Sequence, residues 1–126
     1  MKTPVWISEQ VIFALHEKLI ARFGGLSGIR DEDLLDSALN RPLNLFAYGE
    51  PTLFELAAEY AFGIVKNHPF LDGNKRTGFM AAYAFLKKNG KELNASEESA
   101  TLQTLALAAG EIGGKEYAKW LSESCE

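Results

Sequence analysis

The chain reads as an all-α bundle of about six helices with one short non-helical flap, because three signals recur along it. Capping residues stand before apolar runs of helical period, glycine or asparagine-glycine stops follow those runs, and alternating strand patterns are scarce. Ser8 caps a first helix running to about Ala21, with Ile7 and Ile12 placed as a hydrophobic staple and Gly24-Gly25 as the stop. Asp31 caps a second helix, which the pattern ends before Pro42. Thr52 with Glu55 forms a capping box for a third, running to about Lys66. A fourth runs from about Asn74 to Lys88 and stops at Asn89-Gly90. Ser96 opens a fifth, from Glu97 to about Ala109, and Lys115 to Ser122 forms a short sixth. Between them, the segment from Arg41 to Pro51 is bounded by prolines and carries Leu43, Leu45, Phe46 and Tyr48, so it reads as an extended flap or a connector.

At 126 residues the chain is expected to form one domain, residues 1–126. A hydrophobic content of 47% with 24% charged residues is ordinary for a soluble globular protein. The net charge of −4 and the isoelectric point near 5.2 argue against a nucleic-acid-binding surface. Cys125 is the only cysteine, which excludes an internal disulfide and a cysteine-based metal site. The N-terminus has none of the features of a signal peptide, and no apolar run reaches membrane-spanning length, so the expected location is cytoplasmic without membrane contact.

Chemistry concentrates in one run, His68-Pro-Phe-Leu-Asp72-Gly73-Asn74-Lys75-Arg76. A histidine, with an ordinary pKa of about 6.5, accepts a proton from a hydroxyl near neutral pH. Asp72 offers one hard oxygen ligand, the usual protein contribution to a Mg²⁺ ion whose other ligands are substrate phosphates and water. Gly73 permits a tight turn and close backbone approach before the helix that opens at Asn74. A helix N-terminus attracts anions, and Lys75 and Arg76 add fixed positive charge in its first turn. Cations there oppose the helix dipole, so they cost stability unless an anion offsets them. The run therefore reads as a phosphate-handling loop. His16, inside the first helix, reads as structural, and Arg30 with the acidic cluster Asp31-Glu32-Asp33 receives no catalytic role, since carboxylates in a first turn complement the dipole.

His68 to Arg76 resembles the signature of the Fic/Doc superfamily, and Lys75 after Asn74 resembles its Doc (death-on-curing) toxin branch. Similar segments follow in the same order elsewhere: Leu15 to Leu26 around Gly24-Gly25, Gly28 to Ala38, and Ala84 to Gly90. The resemblance implies a Fic/Doc-type bundle in which His68 is the general base, Asp72 coordinates Mg²⁺, and Gly73 with Asn74 lines an anion hole. It implies further that Lys75, Arg76 and Arg22 hold nucleotide phosphates, with Lys75 also assisting catalysis, and that residues 41–51 form a flap docking the target as an added strand. Departures are informative. Nucleotidyl-transferring members carry glycine at the place of Lys75 and a second arginine at that of Phe79, and the prototype Doc toxin has asparagine where Met80 stands.

The implied activity is a Doc-like toxin kinase using ATP, or another nucleoside triphosphate, and Mg²⁺. Its implied acceptor is a threonine of elongation factor Tu, with arrest of translation as the effect. No segment matches the inhibitory pattern Ser/Thr-x-x-x-Glu-Gly/Asn of self-restrained Fic proteins, so the expected restraint is a separate Phd-type antitoxin. AMP transfer of the Fic kind, or non-catalytic binding of nucleotide or partner, are the alternatives.

Overall fold

The computed structural model describes residues 3–125, and among them every regular element is helical. The elements are α1 (Glu9–Phe23), α2 (Glu32–Tyr48), α3 (Leu53–Asn67), α4 (Asn74–Lys88), α5 (Glu97–Ala109) and α6 (Gly114–Glu123). Local chemistry accounts for most of their starts. Ser8, Asp31, Thr52 and Ser96 each accept a backbone N–H from the first turn of the helix that follows, and Glu55 returns the bond to complete the box at α3. Ile7 and Ile12, the residues of the expected staple, are both buried.

The centre of the bundle is α3, which packs against α2, α4, α5 and α6. It is buried nearly all round, and Ala57, Ala58, Ala61 and Gly63 keep its surface low enough for neighbours to approach closely. A Cβ on Gly63 would lie 2.9 Å from Cα of Ala38 on α2. On the other side, a Cβ on Gly78 of α4 would lie 2.8 Å from Cγ2 of Val65. Tyr60 donates weakly to, and accepts from, the backbone of Ile7, so the entering chain is tied to α3 as well. The far end of the bundle closes through Thr104 and Tyr117, whose hydroxyls lie 2.8 Å apart. Burial pushes the Tyr117 phenol up to about 12, against the opposing effect of the Thr104 bond.

One expectation fails. Instead of ending before Pro42 and leaving a flap at 41–51, α2 runs through the proline to Tyr48. A proline inside a helix removes one backbone bond and clashes with the preceding turn, at a cost of about 3 kcal/mol. Packing offsets it. Leu35, Ala38 and Pro42 are buried, Leu39 and Phe46 pack on the same core, and these positions continue one helical stripe past the proline. The Phe46 ring meets Trp6 edge-on at 5.5 Å, while Arg41 pairs with Glu59 of α3 at 2.9 Å. Only four residues, 49–52, separate α2 from α3, and Leu43, Leu45 and Tyr48 lie exposed on the helix.

Gly63→Ala should lower the unfolding free energy by about 1–3 kcal/mol through overpacking against Ala38, despite alanine's better helix propensity. Urea denaturation reads this directly; an unchanged midpoint would mean that α2 and α3 can separate freely.

Candidate functional site

The loop from His68 to Gly73 joins α3 to α4, and its shape follows from what its neighbours do with its backbone. α3 ends on His68, held in the left-handed conformation at φ 51 and ψ 55, the only non-glycine with positive φ among the described residues. The chain then passes under Pro69 and Phe70, both buried. Asn74, the first residue of α4, closes the loop: its Oδ1 accepts from the Phe70 N–H at 3.0 Å and its Nδ2 donates to the Phe70 carbonyl at 3.0 Å. Those two bonds fix the amide orientation, because only Oδ1 can accept. Nδ2 therefore faces Nδ1 of His68, 3.3 Å away.

Two further segments grip the loop from outside. The stretch 28–31 lies along it, with the Arg30 and Asp31 N–H groups on the Pro69 carbonyl and the Leu71 N–H on the Gly28 carbonyl. The Arg30 guanidinium donates to the carbonyls of Asn67 and His68. From α1, the fully buried His16 stacks its ring on Phe70 at a centroid distance of 3.9 Å and bonds the Asp72 carbonyl at 2.7 Å. A carbonyl only accepts, so Nε2 of His16 carries the proton. Its Nδ1 has no hydrogen-bond partner and lies 3.6 Å from Glu17, too far for a bond but within reach of the carboxylate's field.

Asp72 sits at the turn. Its Oδ1 accepts from the Gly73 N–H at 2.9 Å and its Oδ2 from the Leu26 N–H at 3.3 Å. The second contact requires Gly25, where a Cβ would come within 2.8 Å of Oδ2. Gly73, also left-handed, caps α4 with no side-chain bond, which leaves the first-turn amides free for an anion. A cavity of about 570 Å³ opens beside that turn. Asp72, Gly73, Lys75 and Arg76 line it together with Ser96, Glu97, Thr101 and Thr104, and Leu19, Phe23, Phe79, Met80 and Leu105 supply apolar wall.

The expected site residues thus divide. Four of them line the cavity; His68 is exposed on the loop outside the lining, and Asn74 is buried with its amide committed to the loop. Arg22 does not line the cavity either, but lies 5.3 Å from the Phe23 ring, while Arg76 lies 4.3 Å over the same ring. Phe79 packs near Tyr83 and Trp120, so the wall is apolar where nucleotidyl-transferring proteins have an arginine. Sequence reasoning missed the service of His16, Gly25 and Arg30 to this loop. Nothing local marks them, since their partners lie 38 to 56 residues away.

A divalent metal can be tested against these donors. Among the described residues there is no group of three His, Cys, Asp or Glu able to hold an ion alone. Asp72 keeps a free lone pair on each oxygen at the cavity, a donor that would fit a Mg²⁺ ion whose remaining ligands are phosphate oxygens and water and that does not suffice for a structural metal.

His16→Ala should destabilise the protein by about 2–4 kcal/mol, the sum of a buried stacked ring and a hydrogen bond. Thermal and urea unfolding would check it, and a change under about 0.5 kcal/mol would show that the loop holds without α1.

Comparison with known proteins identifies the family. The model of the Fic/DOC family matches residues 6–86, a span that runs from before α1 into α4. The chain is 40% identical over 107 residues to "Protein kinase doc" of Escherichia phage P1, covering 84% of each chain. It is 43% identical over 76 residues to "Toxin Doc" of Mycolicibacterium smegmatis, covering 58% of each. The motif loop, its helical frame and these likenesses together place the chain in the Fic/DOC family.

Proposed function

We propose that this protein, as one Fic/Doc domain over residues 1–126, is a toxin kinase that moves the γ-phosphate of a nucleoside triphosphate to a protein hydroxyl. The observation that carries the reading is the cavity at the start of α4, which Lys75, Arg76 and the Asp72 carboxylate line beside uncapped helix amides and an apolar wall. The name "Protein kinase doc" borne by the phage P1 relative supports it. So does Lys75, with Phe79 in place of an arginine: Lys75 and Arg76, neighbours in the first turn of α4, are the cations that line the cavity.

Asp72 would hold Mg²⁺, which when bound neutralises phosphate oxygens and orients the transferring group. The chain's own residues do the rest. Lys75, Arg76 and the α4 amides bind phosphate oxygens, where phosphoryl transfer needs positioning and charge stabilisation more than covalent help. The apolar wall excludes water and seats the rest of the nucleotide. His68, outside the cavity and open to solvent, meets the acceptor hydroxyl and takes its proton. An imidazolium carries protons on both nitrogens, so proton uptake requires the 3.3 Å contact from Asn74 Nδ2 to His68 Nδ1 to open. Arg22 approaches the phosphates only if it leaves Phe23.

By resemblance the acceptor is a threonine of elongation factor Tu, translation stops as a result, and the protein acts in the cytoplasm under a Phd-type antitoxin. No helix among the described residues is long and apolar enough to cross a membrane, which is compatible with that site of action.

Incubation with Mg²⁺, elongation factor Tu and ATP labelled on the α- or the γ-phosphate tests the reading. Label should transfer from the γ position alone, and His68→Ala should reduce transfer at least about 10²-fold while nucleotide binding persists. Transfer of α-label would establish AMP transfer instead; undiminished activity of His68→Ala would remove the base.

A further inference from the structure

We infer that Arg30 is a positioning residue for His68, fixing the left-handed end of α3 on which the imidazole is carried. A histidine in that conformation costs about 1–2 kcal/mol relative to the right-handed alternative, so the surroundings have to enforce it. The carbonyls of Asn67 and His68 belong to the C-terminal end of α3, where the helix dipole is negative and acceptors lack partners along the helix. Arg30 supplies both needs at once: Nε donates to the His68 carbonyl at 2.7 Å and Nη2 to the Asn67 carbonyl at 2.9 Å. The planar fork holds the carbonyls of the two peptide units that flank the His68 Cα, so a rotation about φ or ψ of His68 would break at least one of the bonds.

Other roles do not fit this side chain. Arg30 does not line the nucleotide cavity. It forms no salt bridge among the described residues, and these two are its only side-chain hydrogen bonds there. Nor is the side chain needed to dock its own segment, because the backbone N–H groups of residues 30 and 31 already bond the Pro69 carbonyl. Substitution at 30 therefore removes the fork and leaves the docking. The conformational claim stands alone, whereas its catalytic consequence rests on the kinase reading above.

Arg30→Ala and Arg30→Lys test it, the lysine being a single-point donor that cannot span both carbonyls. Backbone carbon and amide NMR shifts of His68 should leave the left-handed range in both variants. The turnover number should fall by about 10²-fold in Arg30→Ala, the loss expected of a misplaced catalytic group, with the KM for nucleotide unchanged. Added methylguanidinium should restore part of the turnover in Arg30→Ala. Unchanged His68 shifts overturn the inference, as does a loss of activity that tracks thermal stability, raises KM alike and resists rescue. Should the wild type transfer no phosphate at all, the kinase reading fails and the NMR shifts still decide the role of Arg30.

Discussion

The near-contact of α3 with the helices beside it is the constraint on which the rest of this structure depends. Gly63 against Ala38 and Gly78 against Val65 leave no room for a side chain at either crossing. With α3 and α4 held so closely, the connection from 68 to 73 has to turn within six residues, and it does so with two left-handed residues, His68 and Gly73. Gly73 adopts that conformation at little cost; His68 does not. The strain falls on the one residue of the loop with the chemistry of a base, and the contacts around it are correspondingly dense.

Those contacts come from separate parts of the chain. Asn74 satisfies both backbone groups of Phe70, the segment after α1 binds the Pro69 carbonyl and the Leu71 N–H, and His16 bonds the Asp72 carbonyl. Almost every polar backbone group of the loop therefore has a partner, which is how an irregular segment against a buried core avoids the cost of unpaired polar groups. The same dense bonding fixes the backbone that carries the candidate side chains of the loop and leads into α4. His68 is turned to solvent, and Asp72, Lys75 and Arg76 to the cavity. In the function proposed, the nucleotide and the acceptor then approach the loop from different sides.

Charge is distributed with the same economy. The chain as a whole is acidic, yet Arg22 and Arg76 flank one exposed ring, Phe23, close to Lys75 at the positive end of α4. Cations at that end oppose the helix dipole, and the aromatic face offsets part of this for the arginines. Lys75 has no such partner among the described contacts, which leaves its charge available to an anion in the cavity.

The sequence by itself determined what local chemistry decides. A cap needs only a side-chain oxygen and an amide three residues on, so Ser8, Asp31, Thr52 and Ser96 mark their helices at the correct residues, and the bounds of α4 are read as they stand. The candidate site in the run from His68 to Arg76 is legible for the same reason, because a loop between two helices keeps its residues adjacent in the chain. Tertiary structure decided what depends on distant partners. Pro42 reads as a helix stop until the burial of Leu35, Ala38 and Phe46 against the core is added, and that burial outweighs the lost backbone bond. His16 and Arg30 look like ordinary helix and turn residues until the fold brings them to Asp72 and His68, 56 and 38 residues away. Hydrogen bonds across such separations leave no periodicity or spacing in the sequence, since they exist only once the bundle has packed.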